Sequence, residues 1–177
     1  MKYTFTIHLM TSDAQHREKL VIAAGAGEVA WHVALKLIGY LLFIEDRPRI
    51  EEGIDWHYKP DLVAHDAEGR LTLWVDCGNI AVKKVDAVAT KVGTAARFVI
   101  LRRTRREAER LHVVMGKKVK HRQRVIVLSF DDDFVDALAD SLDSTNELTC
   151  RRTADGLHLR LVNRHGGRYL TTRIYRW

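Results

Sequence analysis

The sequence predicts an α/β fold of the mixed α+β kind: a mixed central sheet flanked by helices, with additional N- and C-terminal strands. Three observations point to it. Apolar residues alternate with polar ones at the N-terminus, where Tyr3, Phe5, Ile7 and Leu9 share one face. A mostly apolar helical segment follows. Beyond it, short strand-like runs alternate with helical segments, and three further strands close the chain.

Taken in order, Tyr3 to Met10 reads as a strand. Thr11 to Lys19 is a polar stretch, and Leu20 to Ile22 a short strand running into Ala23-Ala24-Gly25-Ala26-Gly27. A helix is expected over residues 28–44, apolar on most sides and therefore buried on several faces. Glu28, His32 and Lys36 fall at i, i+4 and i+8 and form its one polar stripe. Arg47-Pro48-Arg49 ends it, because the residue before proline avoids helical angles. Trp56 to His65 and Leu71 to Cys77 read as strands joined by the turn Asp66-Ala67-Glu68-Gly69. Asn79 is a candidate cap for a helix running to Val92, with Gly93 as its stop. Arg97 to Leu101 is a strand, residues 104–117 a basic helix, Val125 to Phe130 a buried strand and Phe134 to Leu142 a short helix. The tail supplies strands at Glu147 to Arg152, Leu157 to Val162 and Tyr169 to Tyr175, with Asp155-Gly156 and Gly166-Gly167 as turns. No repeat or linker interrupts the pattern, so one domain over residues 1–177 is expected.

Hydrophobic content of 46% and charged content of 29% exclude a disordered or membrane-embedded chain. Val29 to Ile44 contains His32 and Lys36 and is too short and polar for a membrane span. Met1 to Met10 lacks the cationic start and solid apolar run of a secretory signal. Cys77 and Cys150 form neither a disulfide framework nor a zinc set, so reduced thiols and a cytoplasmic location are expected. Nine histidines include no His-Glu-x-x-His pattern, and Ala24 to Gly27 lacks the lysine of a P-loop. Trp31, Trp56 and Trp74 fall at positions expected to be core. A net charge of +6 favours anionic partners.

The segment richest in chemistry is Lys59-Pro60-Asp61 followed by Asp76-Cys77-Gly78. Magnesium takes one or two carboxylates and keeps several waters, and acids on neighbouring strands can supply them. Opposite partners in an antiparallel pair have residue numbers of constant sum. A two-residue Glu68-Gly69 loop gives 137 and sets Asp61 opposite Asp76; a four-residue Asp66 to Gly69 loop gives 135 and makes them diagonal neighbours. Both arrangements put the two acids on one face, whereas an odd-length loop flips one of them. Thr72, Trp74 and Asp76 share a face, and Leu71, Leu73, Val75 and Cys77 form the core face.

The order helix, Pro-Asp strand, turn, acidic strand, helix, strand resembles the core of the PD-(D/E)XK, or restriction-endonuclease-like, nucleases. Within that superfamily the chain is similar to the YaeQ family. Gly27-Glu28 resembles its Ser-Glu-Thr helix start. Ile44-Glu45-Asp46-Arg47, with Glu52-Gly53 beyond, resembles its Ala-Asp-Glu-Arg and following glycine. Lys59-Pro60-Asp61-Leu62 resembles its Pro-Asp-Leu-Trp, Leu73 to Gly78 its Leu-Trp-Ile-Glu-x-Gly, and Asp155-Gly156-Leu157 its C-terminal Asp-Gly segment. The resemblance spans nearly the whole chain. It implies that Glu28, Asp61 and Asp76 occupy the acidic positions and that Asp61, Asp76 and the Cys77 backbone carbonyl hold Mg²⁺ or Mn²⁺. The pattern departs at three places. Gly78 stands where the superfamily has lysine, Asp76 where YaeQ proteins usually have glutamate, and Gly27 and Val29 flank Glu28. Lys83 or Lys84 on the following helix is the candidate replacement for the lysine.

Two functions are expected from this reading. One is Mg²⁺-dependent hydrolysis of a phosphodiester in DNA or RNA by Glu28, Asp61, Asp76 and Lys83 or Lys84. The other is a non-catalytic nucleic-acid-binding or regulatory protein on the same fold. Its basic surface would run over Arg102, Arg103, Arg105 and Arg106, with Arg110, and over Lys117, Lys118, Lys120, His121, Arg122 and Arg124.

Overall fold

In the computed structural model, which describes residues 1–177, ten strands form one mixed sheet. A first hairpin pairs β1 (Lys2–Met10) with β2 (Gln15–Ala23). The polar stretch expected to be irregular is thus the first half of a strand. Gln15, Arg17 and Lys19 face solvent while Leu20 and Ile22 turn inward, the alternation of a sheet wet on one side. Helix α1 (Ala30–Leu42) follows, shorter than expected, and a 3₁₀ turn covers Ile44–Asp46.

The two-residue strand β3 (Arg49–Ile50) pairs with β4 (Leu62–His65), which pairs with β5 (Leu71–Cys77). The strand expected from Trp56 forms only from Leu62 onward. Helix α2 (Val82–Val92) joins β5 to β6 (Arg97–Leu101), and α3 (Arg105–Lys118) joins β6 to β7 (Val125–Phe130). These crossovers make β5, β6 and β7 parallel. The short α4 (Phe134–Ala139) leads to β8 (Thr145–Arg152), β9 (Gly156–Asn163) and β10 (Gly166–Arg176). Strand order is β2-β1-β8-β9-β10-β7-β6-β5-β4-β3. β10 joins the two halves, pairing with β9 over Gly166–Arg173 and with β7 over Ile174–Arg176.

Two cores follow from this layering. The larger packs α1 and α4 against one side of the sheet, with Phe5, Ile7, Val75 and Leu159 among its buried residues. The smaller packs α2 and α3 against the opposite side of the parallel strands, around Trp74, Phe98, Val85 and Leu111. The Trp74 face of β5 is therefore core as well, as parallel strands covered on both sides require. Trp56 stacks on Trp74 with ring centroids 5.1 Å apart. No helix is long and apolar enough to cross a membrane.

Thr104 caps α3 by accepting from the Glu107 N–H at 3.2 Å, as its residue type favours. Asn79 does not cap α2, which starts three residues later; its carbonyl accepts instead from Arg102 at 3.0 Å. The carbonyls at the end of α1 are met by Arg152 of β8, which donates to Leu41 and Leu42 at 3.0 and 2.8 Å.

Candidate active site

The carboxyl ends of β5 and β6 and the amino end of β4 meet at one edge of the sheet, because β4 runs antiparallel to β5. In sheets with parallel strands this is the end where ligands commonly bind. Leu62 pairs with Val75, so the register sum is 137 and Asp61 stands opposite Asp76. Asp61 lies just before β4, and its N–H donates to the Val75 carbonyl at 2.9 Å, which holds it beside Asp76. The route differs from either expected loop. Five residues, Asp66 to Arg70, separate the strands, and the register shifts between Ala64 and His65. This bulge absorbs the odd residue and restores the alignment.

The two carboxylates find different partners. Asp76 is 2% exposed; it accepts from Lys84 Nζ at 2.6 Å and from the Trp74 indole N–H at 2.9 Å. Asp61 is part-exposed; it accepts from the Cys77 N–H at 2.7 Å and lies 3.5 Å from His32 Nε2. Lys84 comes from α2 and His32 from α1, so the site straddles the sheet edge and draws on the helices of both sides. Burial raises the Asp76 pKa, and neighbouring Asp61 adds to it, against Lys84 and Trp74. For Asp61 burial also raises the pKa, but the His32 contact and the Cys77 N–H outweigh it and the net shift is downward. The two neighbouring acids thus sit in unlike settings, Asp61 held by a backbone N–H and His32, Asp76 buried against Lys84 and Trp74.

Glu28 precedes α1 and does not touch Asp61. Its carboxylate lies 2.7 Å from His32 Nδ1 and 2.5 Å from Lys36 Nζ, and accepts from the Gly25 N–H at 2.8 Å. Burial raises its pKa, and Lys36 together with the Gly25 N–H pulls it below the usual carboxylate range. Lys36 is 1% exposed and is also paired with Glu51. The expected polar stripe of α1 is thus a buried charge network, with His32 bridging Glu28 to Asp61. His32, Lys36 and Glu51 were not among the expected site residues. The i, i+4, i+8 spacing was the signal for the first two, and Glu51, in a loop, gave none.

Of the two candidate lysines, Lys84 reaches the site, donating to Asp76 and to the Lys59 carbonyl at 2.9 Å, whereas Lys83 is exposed and paired with nothing. Gly78 has a physical reason to be glycine. Its φ is +74°, and a Cβ there would lie 2.6 Å from Cζ3 of Trp31. The space a strand lysine would need is filled by that ring, and Arg103 stacks on it at 5.4 Å.

The donors suit magnesium in kind, since two carboxylates with water completing the shell is its usual protein ligation. No group of three or more His, Cys, Asp or Glu side chains converges, so the side chains offer at most a two-carboxylate seat. Both cysteines are free and buried. Burial pushes the Cys77 thiol well above its ordinary pKa and the Cys150 thiol up to about 12, which makes both poor nucleophiles.

The expected basic surface is only partly a surface. Arg102 is 8% exposed and donates to the Gly78 carbonyl at 2.6 Å, and Arg103 is paired with Glu107 and Asp136. Arg105, Arg106, Arg110, Lys117, Lys118, Lys120 and Arg122 do face solvent, while Arg124 donates to the Ala89 carbonyl at 3.2 Å.

Two solved structures share this architecture. A YaeQ protein from Xanthomonas axonopodis pv. citri superposes with a TM-score of 0.76 at 18% identity, covering 98% of this chain and 96% of that one. A YaeQ protein from Pseudomonas syringae gives 0.73 at 13% identity, covering 98% and 94%. None of the curated proteins compared matches. The family model described as YaeQ protein matches residues 1–165, so the chain belongs to the YaeQ family.

Proposed function

We propose that the Asp61–Asp76 edge is a metal-dependent phosphodiesterase centre of the PD-(D/E)XK kind, with Lys84 of α2 in place of the missing strand lysine. The observation that carries this is the Lys84–Asp76 contact directly opposite Asp61. Two acids and one ammonium meet at the carboxyl end of the parallel strands, the set of groups such hydrolysis needs. Asp61 and Asp76 would hold Mg²⁺ or Mn²⁺, with the Cys77 carbonyl as a further oxygen donor. When bound, the ion supplies polarisation of a phosphoryl oxygen and a water of lowered pKa.

The chain's own groups do the rest. The Cys77 N–H and His32 keep Asp61 ionised and fix its orientation. Lys84 brings a positive charge to where negative charge develops on the phosphate. Glu28 acts through His32 as a positioning residue. Lys83 has no part in this arrangement.

The test is cleavage of single- and double-stranded DNA and RNA by purified protein with Mg²⁺ or Mn²⁺. Asp61→Ala and Asp76→Ala should each abolish it, and Lys84→Met should lower the rate at least a hundredfold, the scale set by removing one group that stabilises transition-state charge. Wild-type activity that survives these substitutions would sink the assignment, as would wild-type protein that binds Mn²⁺ and cuts none of the substrates.

A second reading is a regulatory or binding protein without turnover. It is favoured by the four carboxylate oxygens, each of which already has a protein partner. Nucleic-acid affinity in wild type with no cleavage under any divalent ion would select it.

A further inference from the structure

The half of the sheet formed by β2, β1, β8, β9 and β10 is covered by α1 and α4 on one side only. On the other side its outward residues face solvent, and their charges are nearly all of one sign. Lys2, Arg17, Lys19, Arg151, Arg160 and Arg173 stand there against the single acid Glu147. The ion pairs of these strands that do form, His16 and Arg152 with Glu45, lie on the helix-covered side. None of the six forms an ion pair, and only Arg173 has an acid close by, Asp131, whose carboxylate accepts from the Arg173 N–H at 2.8 Å; ordinary sheet surfaces intersperse the two signs.

Register turns this composition into a track. Arg17 stands opposite His8, His8 opposite Thr149, Thr149 opposite Arg160, and Arg160 opposite Tyr169, so one row crosses five strands. Tyr169 is the most exposed large apolar side chain of the molecule at 75%, and the Arg160 guanidinium lies 5.8 Å from its ring. A solvent-facing sheet surface that combines unpaired cations with an exposed aromatic suits a strand of bases and phosphates. The ring stacks on a base and the cations follow the backbone, without any need for sequence readout.

We propose that this open face binds single-stranded nucleic acid. The surface is separate from the Asp61–Asp76 edge, and its occupancy needs neither metal nor hydrolysis. Single strands fit better than duplex because the exposed Tyr169 ring can stack only on an unpaired base.

The experiment is fluorescence anisotropy of labelled oligothymidylate, oligouridylate and a DNA duplex with full-length protein in EDTA, so that cleavage cannot contribute. Salt is varied between about 50 and 200 mM. The single strands are expected to bind more tightly than duplex, with affinity falling steeply as salt rises. Arg17→Glu/Arg160→Glu should lower affinity at least tenfold and reduce the salt slope by about 1.4, from two lost phosphate contacts at about 0.7 each. Tyr169→Ala should lower affinity about fivefold or more with the slope unchanged. All these positions are exposed, and matching thermal melts confirm that the variants fold. Arg106→Glu/Arg110→Glu on α3 serves as the comparison. The proposal is overturned if wild type does not bind, if duplex is preferred, or if only the α3 variant weakens binding.

Discussion

Gly78 shows how one residue decides the chemistry of its neighbourhood. Its positive φ and the Trp31 ring exclude any side chain. Gly78→Lys, which would restore the superfamily pattern on paper, is expected to cost about 1–3 kcal/mol from backbone conformation alone, with the ring clash in addition. Denaturant unfolding should show that loss together with no gain of activity. Lys36 is the other decisive residue. Removing the buried ammonium between Glu28 and Glu51 takes from Glu28 its nearest charged partner and leaves only His32 and the Gly25 N–H to offset its charge. Lys36→Met should cost about 3 kcal/mol. Adding Glu28→Gln should return part of that loss, a coupling that a double-mutant cycle measures directly.

At the scale of elements, α1 is held by a close approach and a clamp. A Cβ on Gly39 would lie 3.1 Å from Cδ1 of both Leu62 and Leu101, so the helix rests on the sheet at that point. Gly39→Val should overpack it by about 1–3 kcal/mol, seen as a lower midpoint with an unchanged denaturant slope. The clamp is Arg152, which joins the end of α1 and Glu45 to β8. Burial raises the Glu45 pKa, but Arg152 outweighs it and the net shift is downward. A group depressed in the folded state contributes stability that is present above its unfolded pKa and is lost as pH falls through the folded one. Thermal melts from pH 6 downward should therefore show a shallower acid loss for Arg152→Ala than for wild type. Near neutral pH the same substitution should cost about 2 kcal/mol, because charged donors to two helix carbonyls are removed.

For the molecule as a whole, β10 is the seam. Its first part extends the N-terminal half of the sheet and its last residues pair with β7. Trp177 completes the join, its N–H donating to Val127 and its indole to Ser129 at 2.9 Å. Intact protein should unfold in one calorimetric transition. Removing residues 174–177 strips the edge of β7 and should lower Tm by about 2–4 °C for each kcal/mol lost, with the transition broadening or splitting. A single unbroadened transition at the wild-type Tm would show that the two halves do not depend on this seam.

Much of this was determined by the sequence alone. Strand alternation in Tyr3 to Leu9 and the apolar α1 follow from side-chain period, and period survives folding because it reflects which face leaves water. The i, i+4, i+8 stripe of Glu28, His32 and Lys36 was legible too, though not its burial. Tertiary structure alone decided the rest. Gln15 to Lys19 looked irregular because polar residues on a solvent-facing strand have no core to report. Asn79 lost its expected cap role to Arg102, a residue 23 positions away. Whether Lys83 or Lys84 met Asp76 depended on how α2 lies against β5, and Glu51 joined Lys36 only through a loop. Such long-range charge contacts leave no periodic trace, because a salt bridge is fixed by distance in space and hydrophobic period only by distance along the chain.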